Sequence, residues 1–261
     1  MTDGVPVAIV TGGSGGMAPG AVRALRNAGY CVVLCARDPG RLNAAVASLS
    51  GGDAAAIQSI ACDVTDTASV AAMVQAVMLR FGRIDLLVNA AASSNPIGGA
   101  IETVDVAALM RDLDTKVGGY LRCIQAVVPP MKAAGRGRIV NIGGLTGRSS
   151  DTLSGLRNTA VAHLTKVMAD QLGPHGITVN AVNPGITQTP HLDELIHDLA
   201  QKQDGNVEAV RQGFVADIPT GRICDPDEIG ELIAFLAGSG GASINGESIT
   251  IDGGYSRGIY L

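Results

Sequence analysis

Apolar runs of strand length recur along this chain, and most end on glycine, asparagine or aspartate before a longer segment with helical spacing. The runs cover 5–10, 30–36, 55–62, 84–88, 138–142, 177–182 and 247–251, and most are continuous in apolar character rather than alternating. A strand buried on both faces needs that pattern, whereas a strand with one wet face alternates. Between the runs, 17–27, 41–49, 67–81, 104–131, 154–172 and 226–237 read as helices. In 67–81, for example, Val70, Met73, Val74 and Val77 fall on one helical face. Strand–helix alternation predicts the α/β class, as a Rossmann-type doubly wound parallel sheet of about seven strands. Helices should cover both faces, in a single domain over 1–261. The stretch 186–216 is more polar and predicts an excursion long enough to close over a ligand.

Composition changes this picture mainly by exclusion. With 46% hydrophobic and 16% charged residues, 261 residues can bury a sizeable core. A net charge of -5 leaves no basic footprint for nucleic acid. The five cysteines (Cys31, Cys35, Cys62, Cys123, Cys224) are scattered without CxxC or metal-ligand spacing, so no metal is expected. They read as reduced core thiols of a cytoplasmic protein. No apolar run reaches the roughly 18 residues of a membrane span.

In a parallel sheet, ligands sit at the carboxyl ends of the strands. Here those ends carry polar residues and glycines at 12–16, 37, 63, 89–91, 143–144 and 184–189. The first is the most informative. VPVAIVTGGSGGMA, over 5–18, is a buried strand, a glycine turn and the opening of a helix. Glycine lets the backbone turn sharply and approach a ligand, and a helix N-terminus presents free N–H groups and positive dipole. The occupant that fits is the pyrophosphate of a dinucleotide.

With these features in order, the chain resembles the short-chain dehydrogenase/reductase family over nearly its whole length. The family's TGxxxGxG turn is matched by Thr11, Gly12 and Gly16, with Ala18 at the last glycine; Ser14 and Met17 fall within the turn. Its Asp-Val pair is matched by Asp63 and Val64, and its NNAG motif in part by Asn89, Ala90 and Ala91. The PG-xx-T loop is matched by Pro184, Gly185 and Thr189 around Ile186, and the C-terminal signature by 221–254. The resemblance implies that these residues hold NAD(P). Arg37 ends the second strand where NAD-preferring members carry an acid, so NADP(H) is favoured and NAD(H) is the alternative. The resemblance further implies a substrate lid at 186–216, a small-molecule substrate and a homotetramer paired through the helices at 104–131 and 154–172.

The reaction centre departs from the family. Members use a Ser, a Tyr, a Lys four residues after it, and an Asn on the long helix. The stretch from Asn158 to Lys166, NTAVAHLTK, resembles the family's helix and puts Asn158 at the lysine position and Ser154 at the tyrosine position. The serine falls at Gly144 and the asparagine at Thr115. No shift restores the pair, because no tyrosine lies between 121 and 254. The expected chamber therefore has neither phenol nor ammonium of its own. Ser154, Asn158, Thr115 and Thr146 could bind a ligand, Arg148 or Arg157 could stabilise an oxyanion, and Asp151 could act as acid or base. Three functions are compatible with this. They are an oxidoreductase with a non-standard site on a carbonyl, alcohol, C=C or C=N compound; a silent cofactor-binding subunit of a mixed oligomer; and a non-redox lyase or isomerase.

Overall fold

The computed structural model describes residues 4–50, 57–93, 97–148, 152–202 and 205–258. Its strands are β1 (Val7–Thr11), β2 (Cys31–Ala36), β3 (Ile57–Ala61), β4 (Leu86–Asn89), β5 (Gly137–Ile142), β6 (Ile177–Pro184) and β7 (Ser248–Ile251). They form one sheet in the order β3-β2-β1-β4-β5-β6-β7, with every neighbouring pair parallel. The chain starts in the middle at β1, moves outward to β3, then returns to β4 on the other side. The carboxyl ends of β1 and β4 therefore flank the topological switch point where a crevice opens.

Helices α1 (Ala18–Asn27), α2 (Pro39–Leu49) and α9 (Pro226–Ala237) cover one face, packing Leu25, Leu42 and Ile233 against Val10, Leu34 and Val140. Helices α3 (Thr67–Phe81), α5 (Gly119–Ala134) and α6 (Gly155–Leu172) cover the other, packing Met73, Ile124 and Ala169 against Ile9, Leu87 and Ile139. Both layers are buried and apolar, which is why the central strands read as unbroken apolar runs. Helix starts on the protein's own account are capped by side chains. Asp38 opens α2, Asp66 opens α3, and Asp225 with Glu228 forms a capping box at α9. Helices α1 and α6 begin at Met17 and Ser154 with no side-chain cap, and both starts face the crevice side of the sheet.

One expectation is corrected. The single helix at 104–131 is α4 (Val106–Leu113), a π-helical turn (Asp114–Gly118), and then α5. The wider turn adds one residue to the register, which changes the side chain that faces the sheet. Gly119 permits it, since a Cβ there would lie 2.8 Å from the Val64 side chain. The polar excursion is two helices, α7 (Pro190–Lys202) and α8 (Val207–Ala216); α7 buries Leu192, Ile196 and Ala200. The third strand spans only Ile57–Ala61, and its expected first two residues lie outside the described residues.

Helices α1 and α9 cross backbone to backbone. A Cβ at Gly20 would stand 2.0 Å from the Pro226 carbonyl oxygen, and one at Gly230 would stand 2.1 Å from the Gly20 carbonyl oxygen. Neither contact can yield by a rotamer change. Gly230→Ala is therefore expected to destabilise the fold by about 2–3 kcal/mol, despite alanine's better helix propensity. Urea unfolding would report it as a lower midpoint at unchanged slope. An unchanged midpoint would mean that the helices separate freely.

Candidate active site

The crevice begins at the end of β1. Thr11 is fully buried and its hydroxyl accepts from the Ala90 and Ala91 amides at 3.0 and 3.3 Å, tying the glycine turn to the end of β4. Gly12 has φ +69, and a Cβ there would lie 2.6 Å from the Ala90 carbonyl oxygen. Gly16 lies under Thr189, whose Cβ would be 2.7 Å from a Cβ at residue 16. The turn through Ser14 thus brings backbone, not side chains, to the uncapped start of α1 at Met17. Gly185 closes against Asp252, and Ile186 and Thr189 carry the chain over the turn into α7.

On the outer side, Arg37 is exposed at the end of β2. Asp63 accepts from the amide and hydroxyl of Thr65 at 2.9 and 2.8 Å. Burial works to raise the Asp63 carboxyl, but the Thr65 bonds, with Arg37 and Arg122 nearby, hold it below the usual range. Val64 is buried beside Gly119. Asn89 is fully buried and donates to Asn141 at 2.9 Å, which donates in turn to Thr165 at 3.0 Å. Asn89 therefore braces the floor of the crevice. Backbone amides at a helix start, small residues around it and a guanidinium at the edge suit a dinucleotide, so the donor set fits the cofactor that the sequence implies.

Inward of this edge lies a cavity of about 780 Å³, lined by Lys116, Gly144, Thr146, Asn158, Ile186 and Tyr255 among others. Lys116 is 4% exposed and comes from the π-helical turn. Its Nζ donates to the Gly143 carbonyl at 2.8 Å and to Asn158 Oδ1 at 2.7 Å. Asn158 Nδ2 donates to Thr146 Oγ1 at 2.7 Å. Burial first, and the Arg157 guanidinium second, push the Lys116 ammonium down to about 7, against the pull of Asp112. Arg157 is held by an ion pair and hydrogen bond to Asp112, and also donates to the Ser93 carbonyl at 3.2 Å. Tyr120 is buried beneath, donating to the Ile142 carbonyl at 3.0 Å, and burial pushes its phenol far above its ordinary range.

The chamber thus differs from the expected one: it has an ammonium, Lys116, and a phenol on its lining, Tyr255. Thr115 turns away, its hydroxyl donating to the Arg111 carbonyl of its own helix at 2.9 Å. Ser154 is 3% exposed and its hydroxyl accepts from the Ile97 amide at 2.8 Å, latching a loop to α6. Asn158 lies in the chamber. Arg148 ends a short turn (Leu145–Arg148), and its side chain, like the whole of Asp151, falls outside the described residues. Among the described residues no cluster of His, Cys, Asp or Glu could hold a metal ion, and no helix is long and apolar enough to cross a membrane.

Lys116 left a trace in the sequence. It lies on the buried stripe of Asp112, Tyr120, Ile124, Val127 and Met131, where a lysine needs a reason. Gly144 is explained by the same arrangement, since a Cβ there would stand 2.9 Å from Asn158 Nδ2. Asn158, Lys116 and Gly144 are therefore one packing solution.

Comparison with known proteins agrees with this architecture. Residues 12–256 match the family described as enoyl-(acyl carrier protein) reductase. The chain is 36% identical to a monensin polyketide synthase putative ketoacyl reductase of Streptomyces virginiae over 255 residues, covering 95% of this chain and 96% of that one. It is 33% identical to a cis-4-hydroxycyclohexanecarboxylate dehydrogenase of Sinomonas cyclohexanicum over 253 residues, 96% of each. Among solved structures, a variant of actinorhodin polyketide ketoreductase with NADPH superposes with a TM-score of 0.89 at 30% identity, covering 98% of this chain and 99% of that one. A parallel sheet with its switch point at β1 and β4, a glycine turn under Thr189 and likeness along almost the full length to named reductases and dehydrogenases lead to one conclusion: this chain belongs to the short-chain dehydrogenase/reductase family of oxidoreductases.

Proposed function

We propose that this protein is an NADP(H)-dependent oxidoreductase that interconverts a carbonyl and an alcohol on a small molecule, in a site without the family's Ser-Tyr-Lys set. The observation that carries the reading is the glycine turn. Gly12 at φ +69 and Gly16 under Thr189 bring the backbone of the turn close to an uncapped helix start, whose free N–H groups and positive dipole suit an anion. Bound there, a reduced nicotinamide dinucleotide supplies hydride. Gly12, Ser14, Gly16 and Met17 hold its pyrophosphate, Asp63 and Val64 its adenine side, and Arg37 its 2′-phosphate. Asn89, Ala90 and Ala91 with Pro184, Gly185, Ile186 and Thr189 frame the rest. NADPH in the actinorhodin ketoreductase variant supports the choice of cofactor. The ketoacyl reductase and cyclohexanol-type relatives support a ketone, with 186–216 as the substrate lid. Asn158 and Thr146 orient the substrate, and Ser154 holds the loop beside it. Subunits pair into a homotetramer through α4 and α6, where Val106, Met110 and Leu156 expose apolar surface.

Fluorescence titration with NADPH tests this directly, followed by NADPH oxidation with a panel of cyclic ketones headed by 4-oxocyclohexanecarboxylate. Micromolar binding and turnover are expected. Binding without turnover would favour the silent-subunit reading, and product formation without loss of nicotinamide absorbance would favour a lyase or isomerase. Arg37→Ala is expected to weaken NADPH about 10- to 50-fold and leave NADH within about twofold, because one charge-assisted phosphate contact is lost. Equal losses for both nucleotides would remove Arg37 from the 2′ site.

A further inference from the structure

The geometry assigns Lys116 as the catalytic residue that passes the proton to and from the substrate oxygen. The assignment rests on the redox reading above. Two of the three ammonium N–H groups are fixed, one on the Gly143 carbonyl and one on Asn158 Oδ1. The third has no protein acceptor among the described contacts, and Lys116 lines the cavity. The amide of Asn158, held by Thr146, sets the direction of the lysine as a fixed acceptor sets a donor. Other groups in the chamber are less suited. Tyr120 is engaged with Ile142 and buried, Arg157 is committed to Asp112, Thr146 is an aliphatic hydroxyl, and Tyr255 is 38% exposed, with none of the described hydrogen bonds fixing its phenol.

The groups charged or titratable around the lysine are Arg157 from α6 and Asp112 from α4, with Asp217, Tyr255 and Arg257 on the cavity lining. The arrangement favours an amine that exchanges its proton near neutrality, which suits a general acid–base catalyst. In reduction, one N–H bond of Lys116 breaks and an O–H bond forms on the carbonyl oxygen. The carbonyl carbon gains the hydride of a dihydronicotinamide dinucleotide, which leaves oxidised. The electron pair of the C=O π bond ends on oxygen, and the neutral amine regains its proton from water. In alcohol oxidation the neutral amine accepts the hydroxyl proton.

The test combines a titration with turnover. The chain has four lysines, Lys116, Lys132, Lys166 and Lys202, and the other three are exposed. Acetylation by acetic anhydride, read peptide by peptide by mass spectrometry from pH 5.5 to 9, should level off above about pH 7 for Lys116. A free lysine in a short reference peptide, acetylated alongside, should keep rising about tenfold per pH step of one, as an amine of ordinary pKa does. Lys116→Met and Lys116→Arg should lose about 10²–10⁴-fold in kcat with the ketone panel, while NADPH affinity changes less than threefold. Arginine keeps a charge but does not give up its proton. In the wild type, kcat/KM should fall with rising pH for reduction and rise for oxidation.

A Lys116 acetylation curve parallel to that of the reference peptide, or variants as fast as wild type, would overturn the assignment and leave the redox reading standing. Wild-type protein that binds no NADPH, or oxidises none with any ketone of the panel, would overturn both. The acetylation profile needs only wild-type protein, so a variant that fails to fold does not remove the test.

Discussion

Asp112→Ala is expected to cost about 3–5 kcal/mol of stability, the usual loss when one member of a buried ion pair is removed. The Asp112 and Arg157 side chains are 2% and 13% exposed, so solvent screens the pair little. Arg157 would be left charged beside Lys116, a second cation that already pays for burial. The cause is separable from lost packing. Asp112→Ala combined with Arg157→Met should recover a large part of the loss, since the stranded charge is gone. Urea unfolding of the two singles and the double closes that cycle. Simple additivity would show that the pair contributes nothing as a pair. The same Asp112→Ala change should also push the Lys116 ammonium lower, because the Asp112 carboxylate is the charge that holds it up.

Lys116→Met should change how stability depends on pH. Folding lowers the Lys116 pKa from its ordinary 10.5 to about 7. Between those values the unfolded chain binds more protons at this site than the native one. Stability therefore rises with pH across the window, and the burial penalty is fully present below about pH 7. Over the whole window the change is on the order of 5 kcal/mol. The difference between wild type and Lys116→Met isolates it from other groups. From pH 7 to 8.5 wild type should gain about 1.5–2 kcal/mol on the variant, the cysteines of the unfolded chain contributing equally to both. Chemical denaturation at matched ionic strength would measure it. Parallel curves would mean that the lysine keeps its ordinary proton affinity and reaches water.

The fold was legible because its cause is local and repeated. Continuous apolar runs such as 30–36 and 177–182 have no stable place except between two layers of helices, and glycine after β1 has no substitute at φ +69. The nucleotide edge was legible for the same reason, since its residues lie in short contiguous motifs at strand ends. The chamber was legible only in part. Asn158 and the absence of a tyrosine on α6 are statements about sequence, and they stand without coordinates. The expectation of a chamber without ammonium followed from the resemblance, which seeks a lysine four residues after the Ser154 position and finds none.

Amino-acid order by itself determined the α/β class, the parallel sheet and the dinucleotide turn, because periodicity and glycine geometry act over a few neighbouring residues. Only the tertiary structure decided which side chains meet in the chamber. One π-helical turn set Lys116 rather than Thr115 inward, and its partners Gly143 and Asn158 lie 27 and 42 residues away. A contact of that separation depends on the packing of three elements at once, and no local pattern encodes it.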